Sequence, residues 1–153
     1  MIDHTGAQGY DSVSYIFENG LRKVKPYFYT YQTRASGRWI GRNILEFVKT
    51  ECGRPSHEFR YNVEDHISTR LKQGLMTVNG ARVDESYVLK NHDSLSSCVH
   101  RHEVPVAATP ITIVHEDEDF LVVNKPSSIP VHPCGRFRFN ALTMILTKEM
   151  GYR

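Results

Sequence analysis

Four consecutive large apolar residues, Phe120-Leu121-Val122-Val123, constrain the fold of this 153-residue chain more than any other feature. Alternate side chains of a β-strand point to opposite sides of a sheet, so a strand without polar positions needs cover on both faces. The run ends at Asn124-Lys125-Pro126, because proline cannot donate to a sheet ladder. About twenty residues follow Pro133, enough for a loop and one helix. The sequence predicts a strand buried on both faces, in a segment that supplies cover for only one.

Residues 111–153 contain the rest of this predicted hairpin and one helix. The acidic run Glu116-Asp117-Glu118-Asp119 turns the chain between two strands, and Asn140 can cap the last helix. Apolar residues recur at helical spacing in that helix: Leu142, Ile145 and Leu146. A lone two-stranded hairpin is marginally stable in water and presents an open edge. We expect this segment to fold poorly in isolation, and the protein to be a monomer whose hairpin edge is open to association.

Two helices are predicted in the middle of the chain. The first runs from about Arg42 to Cys52 and is stopped by Gly53. Its apolar face repeats every four residues: Ile40, Ile44 and Val48. The second runs from His57 to Gln73, between a cap at Ser56 and a stop at Gly74. Its apolar stripe has the same spacing: Phe59, Val63, Ile67 and Leu71.

Short strands are predicted around these helices. The dipeptides Asn19-Gly20 and Asn79-Gly80 are strong signals for two-residue hairpin turns. The predicted strands are Tyr15–Glu18, Arg22–Val24, Tyr27–Thr33, Met76–Val78, Arg82-Val83, Tyr87–Leu89 and Leu95–Val99. Helices and strands thus occur in mixed order with short hairpin connections, which predicts an α+β fold.

Charge is unevenly distributed, although the net charge is only +2. Between Gly20 and Arg54 only two carboxylates, Glu46 and Glu51, face a larger set of cations: Arg22, Lys23, Lys25, Arg34, Arg38, Arg42, Lys49 and Arg54. Aromatic residues are interleaved with them: Tyr27, Phe28, Tyr29, Tyr31 and Trp39. Cations that meet phosphates and rings that stack on bases are typical of nucleic-acid binding. The alternative is a solvated strand face over a small core.

Cysteine and histidine spacing argues against disulfide and metal sites. Cys52, Cys98 and Cys134 are odd in number and form no Cys-x-x-Cys pair, which favours a reducing intracellular compartment without distinguishing cytoplasm, nucleus and mitochondrion. His100 and His102 fall on one face of a predicted strand, but no further ligands stand at the spacing typical of zinc sites. No stretch approaches the roughly eighteen apolar residues of a membrane helix. We expect a soluble protein without metal or membrane contact.

Several segments follow the pattern of a known family. They are Val99-His100-Arg101-His102-Glu103, Ile113 to Pro126, Val131-His132-Pro133, the loop Pro133 to Arg138, and Asn140-Ala141-Leu142. Together they resemble the RluA-type RNA pseudouridine synthases around the first hairpin of the catalytic domain, and the eukaryotic branch is most similar. The resemblance covers the chain from about residue 15 to the end. Two positions depart from the family: Ser128, where Gly is usual, and Ala141, where Thr is usual.

The resemblance implies an isomerase that converts uridine in RNA to its carbon-linked isomer without metal or organic cofactor. Such an enzyme cleaves the glycosidic bond, rotates the base and rejoins it. The family's nucleophile is an aspartate in a His-Arg-Leu-Asp segment downstream of the hairpin, and these 153 residues contain no such segment. His100-Arg101-His102-Glu103 lies before the hairpin and ends in the wrong carboxylate, so no catalytic residue is assigned. We expect the chain to bind RNA, either tRNA or rRNA, without isomerising it.

A second resemblance concerns the two predicted helices and the residues after them. Gly74-x-x-Thr77-Val78-Asn79-Gly80, and later Tyr87-Val88-Leu89-Lys90 with Asp93, resemble a small helix-helix-strand RNA-binding module shared by a ribosomal small-subunit protein and many bacterial pseudouridine synthases. Gly is usual where His92 stands. The predicted RNA-binding residues are cations on the helices and in the loop after His132: Arg42, Lys49, Arg60, Arg70, Lys72, Arg136 and Arg138. The alternative for them is surface solubility. The residues expected to support the active site are Asn124, Lys125, Pro126 and His132.

The resulting organisation has three parts. We expect an N-terminal extension over residues 1–36, an RNA-binding module over 37–104, and the incomplete start of a pseudouridine synthase domain over 105–153. Pro105 and Pro110 stiffen the connection between the last two. The alternative function is a stand-alone, non-catalytic regulatory RNA-binding protein, and a weaker one is an interaction protein that uses the exposed hairpin. A transcript that continues past Arg153 into a His-Arg-Leu-Asp-like segment would favour the incomplete enzyme.

Overall fold

A computed structural model describes residues 13–52 and 62–152 of the chain. The described residues form two compact units. The first unit lies within Tyr29–Val99, and the second unit comprises residues 13–28 together with 100–152. The strands and helices, in chain order, are β1 Tyr15–Glu18, β2 Leu21–Val24, β3 Tyr27–Arg34, α1 Ile44–Phe47, α2 Val63–Gln73, β4 Met76–Val78, β5 Ser94–Arg101, β6 Val106–Ala107, β7 Thr112–Glu116, β8 Leu121–Asn124 and α3 Leu142–Met150.

The α+β class is confirmed, because the chain contains both helices and strands and the strands pair antiparallel. One sheet has the order β1-β2-β6, a second has the order β3-β5-β4, and β7 and β8 form a separate hairpin. The strands predicted at 15–18, 22–24, 27–33 and 95–99 are confirmed to within two residues at each end. The more specific description of residues 37–104 as a helix-helix-strand module, and the domain boundaries at residues 36 and 104, stay predictions.

Helix α1 is short and continues into a π-helical turn, Val48–Cys52. It begins at Ile44 because the Asn43 side chain accepts hydrogen bonds from the backbone N–H groups of the second and third helical residues, at 2.8 and 3.3 Å. Ile44 and Val48 are buried as predicted, whereas Ile40 is 43% exposed. The expectation for Ile40 was wrong because the chain turns at residues 40–41, before the helix begins, where helical periodicity does not apply.

Helix α2 carries the apolar face predicted for it. Ile67 and Leu71 are buried in the core of the first unit, and Gly74 ends the helix in the left-handed conformation with φ 73°. The Asn62 side chain accepts a hydrogen bond from the backbone N–H of Glu64 at 3.1 Å and caps the described start of the helix. The predicted start at His57 and several other predictions lie outside the described residues: Gly53, Arg54, Ser56, Phe59 and Arg60.

The hairpin predicted between Met76–Val78 and Arg82-Val83 was wrong. Strand β4 instead pairs with β5, with Met76 opposite Ser97. Beyond the turn only one bridge forms, between Val78 and Ala81, and neither Arg82 nor Val83 pairs with β4. The strand predicted at Tyr87–Leu89 is likewise reduced to one bridge between Val88 and Asn43. The turn signal is correct about where the chain reverses, but the ladder beyond it ends at Ala81, and the longer pairing of β4 is with β5 on its other edge.

The turn before Asp93 has a histidine at the position where glycine is usual in the resembled module. His92 adopts φ 66°, in the left-handed region where glycine has no steric cost. The buried Asp93 carboxylate accepts hydrogen bonds from the Lys90 backbone N–H at 2.8 Å, the Asn79 side chain at 2.8 Å and the Tyr87 hydroxyl at 3.0 Å. These bonds, led by that from Lys90, hold the pKa of Asp93 below its usual value. They fix the turn without glycine.

The second unit brings the N-terminal hairpin together with the C-terminal segment. The turn Asn19-Gly20 joins β1 to β2 with φ 52° and 71°, as its sequence predicts. Strand β2 pairs on its other side with β6. The Tyr15 hydroxyl donates to the Phe139 carbonyl at 2.6 Å, and Arg22 lies 2.7 Å from the Glu149 carboxylate of α3. Residues 13–28, which we expected to be part of an extension, therefore contribute to a packed unit.

The hairpin of β7 and β8 is covered on one face, not on two. Leu121 and Val123 pack against a buried cluster that includes Ile129, Ile145 and Leu146. Phe120 and Val122 are 67% and 47% exposed. The expectation that this segment supplies cover for only one face of the Phe120–Val123 run is therefore confirmed for the described residues. Helix α3 covers one side of the strand, and none of the described residues forms a second layer over the other.

Helix α3 begins without the cap that we predicted. Asn140 is buried, but its side-chain amide donates to the Val104 carbonyl at 2.9 Å and does not cap the helix. The N-cap position is Ala141, whose side chain has no acceptor. The family pattern has threonine at this position, and a threonine hydroxyl would be an N-cap. The first N–H groups of α3 donate instead to the Pro130 and Val131 carbonyls.

Candidate nucleic-acid interface

Two of the predicted RNA-binding arginines, Arg42 and Arg70, form hydrogen bonds within the first unit. Arg42 donates to the Thr50 hydroxyl at 2.7 Å and lies 3.4 Å from the Glu46 and Glu51 carboxylates. Arg70 donates to the Cys98 carbonyl at 2.6 Å and to the Ser97 hydroxyl at 3.0 Å, which ties α2 to β5. Burial lowers the pKa of Arg70. The guanidinium groups of Arg42 and Arg70 therefore both form hydrogen bonds within the protein.

The two predicted lysines of this unit are more accessible. Lys49 forms an ion pair with Glu64, and Lys72 lies 3.4 Å from Glu85. The side chains of Lys49 and Lys72 are 40% and 74% exposed. Exposed ion pairs contribute at most about 1 kcal/mol, so an RNA phosphate can compete for these lysines. Arg60, the remaining candidate of this unit, lies outside the described residues.

The cation-rich segment of the sequence is largely neutralised by carboxylates. Arg22 is 4% exposed and lies between Glu149 and the rings of Tyr15 and Phe17, 5.0 and 5.2 Å from their centroids. Further ion pairs join Lys23 to Glu18 and Arg38 to Glu51, both at 2.6 Å. Several cations of this segment are therefore paired with carboxylates in the described part of the fold.

A tight turn in the second unit presents Arg136 to solvent. The backbone groups of Cys134 and Phe137 exchange hydrogen bonds at 3.0 and 2.9 Å, which closes the turn around Gly135 and Arg136. Gly135 takes φ 50°, a conformation that favours glycine. Arg136 is exposed, while the half-buried Arg138 lies with its guanidinium 5.0 Å from the centroid of the Phe139 ring. The two predicted arginines of this loop thus have different environments.

A buried carboxylate holds the loop that carries this turn. Glu103 accepts hydrogen bonds from three consecutive backbone N–H groups, those of Arg138, Phe139 and Asn140, at 2.9, 2.9 and 3.0 Å. The Tyr27 hydroxyl donates to the same carboxylate at 2.8 Å. Burial, followed by this hydrogen bond, raises the pKa of Tyr27. Successive N–H groups form a concave anion site, and here an internal carboxylate fills it.

Sequence reasoning assigned no role to Glu103. Arg101, two residues earlier, donates to the Gly135 carbonyl at 2.6 Å. The segment 99–103 and the loop 133–138, which share a resemblance to the same branch of the family, are therefore in direct contact. The only sequence signal for this contact was that both segments resemble the same branch of the family. That resemblance does not indicate which groups form hydrogen bonds.

The residues expected to support an active site surround the turn after β8. The Lys125 ammonium group donates to the Pro126 and Ile129 carbonyls at 2.9 and 2.8 Å and closes that turn. Ser128 has φ 66°, which explains why glycine suits this position, and its hydroxyl accepts the Ala107 N–H at 2.8 Å. Asn124 ends β8 opposite Thr112, and His132 is exposed. Their roles at an active site stay predictions.

Two absences apply to residues 13–52 and 62–152. In these residues, no three histidine, cysteine, aspartate or glutamate side chains lie together in a way that could hold a metal ion. No helix in the same residues is long and apolar enough to cross a membrane.

Comparison with known proteins identifies the relatives of the chain. It is 45% identical over 145 residues to human pseudouridylate synthase RPUSD2, a match that covers 94% of the chain and 25% of that protein. Identity to the mitochondrial tRNA pseudouridine(32) synthase of Saccharomyces cerevisiae is 36% over 137 residues, which covers 90% of the chain and 28% of the relative. RNA pseudouridine synthase 7 of Arabidopsis thaliana is 35% identical over 135 residues, with 88% and 32% covered.

The chain spans about a quarter to a third of the length of these relatives. No family model and no solved structure matches it. The matches to the curated relatives nevertheless extend through both compact units, since each covers at least 88% of the chain. The chain therefore belongs to the RluA-type pseudouridine synthase family.

Proposed function

We propose that these 153 residues bind RNA for a uridine-to-pseudouridine isomerisation, and that they do not perform the chemical step themselves. The observation that carries the proposal is the 45% identity to human pseudouridylate synthase RPUSD2 across 94% of the chain. Arg136 supports RNA contact, because it is exposed on a turn whose backbone is held by Glu103 and Arg101. Because the backbone of this turn is held, RNA binding does not have to order the loop, which lowers the entropic cost of the contact.

The carboxylates near the hairpin have structural partners that do not suit a nucleophile. The Glu103 carboxylate is buried and accepts hydrogen bonds from four donors. Asp117 accepts hydrogen bonds from the Asp119 and Phe120 N–H groups at 2.9 and 2.7 Å, and its other oxygen lies 2.9 Å from the His115 ring nitrogen. The bond to His115, followed by those from the backbone, lowers the pKa of Asp117. Asp117 thus closes the turn between β7 and β8.

RNA binding should depend on salt in the way that phosphate contacts require. If about four phosphates of a single strand are neutralised, log affinity falls with log salt at a slope of about −3. Replacing Arg136 with glutamine removes one such contact and should flatten the slope by about 0.7. Arg38→Gln is the matched control, because Arg38 is an exposed arginine that is not among the predicted RNA-binding residues. The measurement is fluorescence anisotropy of labelled single-stranded RNA over a salt series.

Two results of this series would contradict the proposal at different points. An affinity independent of salt excludes phosphate contacts as the main source of binding. An unchanged slope in Arg136→Gln, together with a flatter slope in Arg38→Gln, places the contact in the first unit and not on the Arg136 turn.

No pseudouridine should form when the purified chain alone is mixed with uridine-containing RNA. The sequence has no His-Arg-Leu-Asp segment, and covalent catalysis has no substitute once its nucleophile is missing. The RNA is digested to nucleosides, and the two isomers are separated by chromatography before mass spectrometry. Isomer above the no-protein control, from material free of host synthases, would disprove the claim, and Asp117→Asn would then be the first variant to examine.

A stand-alone regulatory RNA-binding protein is the alternative, and it predicts the same two results. Sequencing the transcript beyond the codon for Arg153 separates the two functions. An in-frame His-Arg-Leu-Asp-like segment within some tens of codons supports the role as the RNA-binding part of an enzyme.

A further inference from the structure

Three exposed rings meet at the end of β5 in the second unit. The Phe28 side chain is on β3 and is 52% exposed, and its ring centroid lies 5.1 Å from that of His100. The His100 and His102 rings are exposed as well, with centroids 4.7 Å apart and planes at 85°. His102 Nε2 lies 3.1 Å from His100 Nδ1, within hydrogen-bond distance. We refer to Phe28, His100 and His102 as the ring cluster.

Packing does not account for the ring cluster. None of its members belongs to the buried clusters of the described residues. A phenylalanine half in water forgoes much of the stabilisation that full burial provides, and cross-strand ring pairs contribute only about 0.2–1 kcal/mol. Exposed aromatic and imidazole faces are instead the surfaces on which unpaired nucleobases stack.

A cation lies beside the ring cluster. Arg101 stands between the two histidines in sequence, and its guanidinium donates to the Gly135 carbonyl at 2.6 Å. This hydrogen bond joins the end of β5, which carries the two histidine rings, to the turn that carries Arg136. The turn and the rings are therefore separated by about the length of one arginine side chain. Stacking rings next to a cation are the combination with which proteins bind single-stranded nucleic acid.

We propose that the ring cluster is a stacking site for an unpaired nucleobase of single-stranded RNA, with Arg136 on a neighbouring phosphate. The proposal rests on the proposed function of RNA binding and deepens it, since it adds a base contact to the phosphate contacts. The hydrogen bond between the histidines uses His102 Nε2 and His100 Nδ1. His102 Nδ1 and His100 Nε2 stand outside that bond and can meet the polar edge of a base.

Two RNA probes with equal numbers of phosphates test the proposal on the intact chain. One is an oligouridylate of about eight nucleotides, within the range of known single-strand site sizes, and the other is an abasic oligoribonucleotide of the same length. The wild-type chain should bind the oligouridylate about 5- to 100-fold more tightly. Phe28→Ala and His102→Ala should abolish this preference without weakening binding of the abasic strand, whereas Phe28→Tyr, which keeps the ring, should retain it.

Phe120→Ala is the matched control, because Phe120 is an exposed phenylalanine of the same unit outside the ring cluster. Circular dichroism verifies that each variant is folded. His102→Ala decides the result if Phe28→Ala unfolds, since His102 follows the end of β5.

Each remaining outcome has a distinct meaning. Equal binding of both probes by the wild-type chain overturns stacking and leaves RNA binding through phosphates intact. Binding of neither probe overturns both proposals. A preference that survives Phe28→Ala and His102→Ala, or that Phe120→Ala removes equally, shows that the base is held elsewhere and overturns the assignment of this site.

Discussion

Replacing Glu103 with glutamine should lower the free energy of unfolding of the second unit by about 3 kcal/mol. The Glu103 carboxylate is buried and accepts hydrogen bonds from three backbone N–H groups and the Tyr27 hydroxyl. Glutamine offers one carbonyl oxygen and one NH2 group, so at least one buried N–H would face another donor. That unpaired group costs about 1–3 kcal/mol, and the surviving bonds weaken from charged to neutral. The lower cost of burying a neutral side chain offsets part of this loss.

Amide hydrogen exchange of α3 measures this effect within the second unit. If α3 amides exchange through unfolding of the unit, a loss of about 3 kcal/mol accelerates them roughly 150-fold. Glu118→Gln makes the same change on an exposed carboxylate of the unit and should stay within about 0.5 kcal/mol of wild type. Protection of α3 in Glu103→Gln equal to that in Glu118→Gln would show that the carboxylate does not hold the loop.

Local signals in the sequence determined the elements that were predicted correctly. Asn19-Gly20 specifies a turn because both residues tolerate positive φ, and the structure has φ 52° and 71° there. Gly74 ends α2 for the same reason, and Ile67 and Leu71 mark its buried face through a spacing of four residues. Each of these features depends on contacts within a few residues, which a sequence displays directly.

The failures involve partners that are distant in the sequence. Strand β4 has a plausible neighbour at Arg82-Val83, but that ladder ends at the bridge between Val78 and Ala81, and the longer pairing of β4 is with β5 on its other edge. Asn140 is the predicted capping residue, but its side-chain NH2 donates to the Val104 carbonyl, and its Oδ1, the atom that would cap the helix, accepts no hydrogen bond from the described residues. In both cases the local pattern is present, but contacts with residues distant in the sequence determine where the strand pairs and how the amide is oriented. Nothing in the local sequence ranks these alternatives.

The candidate interface was predictable as a set of residue types and not as a surface. The sequence shows an excess of cations. It does not show that Glu149 forms an ion pair with Arg22, or that Arg70 donates hydrogen bonds to Cys98 and Ser97. It identified Arg136 and Arg138 through a resemblance, without distinguishing the exposed one from the half-buried one. Electrostatic surfaces depend on tertiary pairing, so composition overestimates the charge available to RNA.

Opposite faces of β8 should respond very differently to the same substitution. Val123→Asp places a carboxylate against the cluster that contains Ile129 and Ile145, and should destabilise the second unit by about 3–4 kcal/mol. Val122→Asp places the same group on the face where Val122 is 47% exposed. Val122→Asp should lower the free energy of unfolding by no more than about 1 kcal/mol. That loss reflects the lower strand propensity of aspartate, which affects both variants. Methyl NMR signals of Ile145 during a urea titration report the unfolding of this unit in each variant.

The comparison tests the finding that one face of the apolar run Phe120–Val123 lacks cover. A low cost for Val122→Asp and a high cost for Val123→Asp would mean that in solution, too, the exposed face carries no buried contacts. Large losses from both would mean that the face is closed in solution, by another part of the protein or by a second copy, because an unpaired carboxylate is costly only where water is excluded. The concentration dependence of the urea midpoint then separates these two sources, since only a second copy makes it rise with protein concentration.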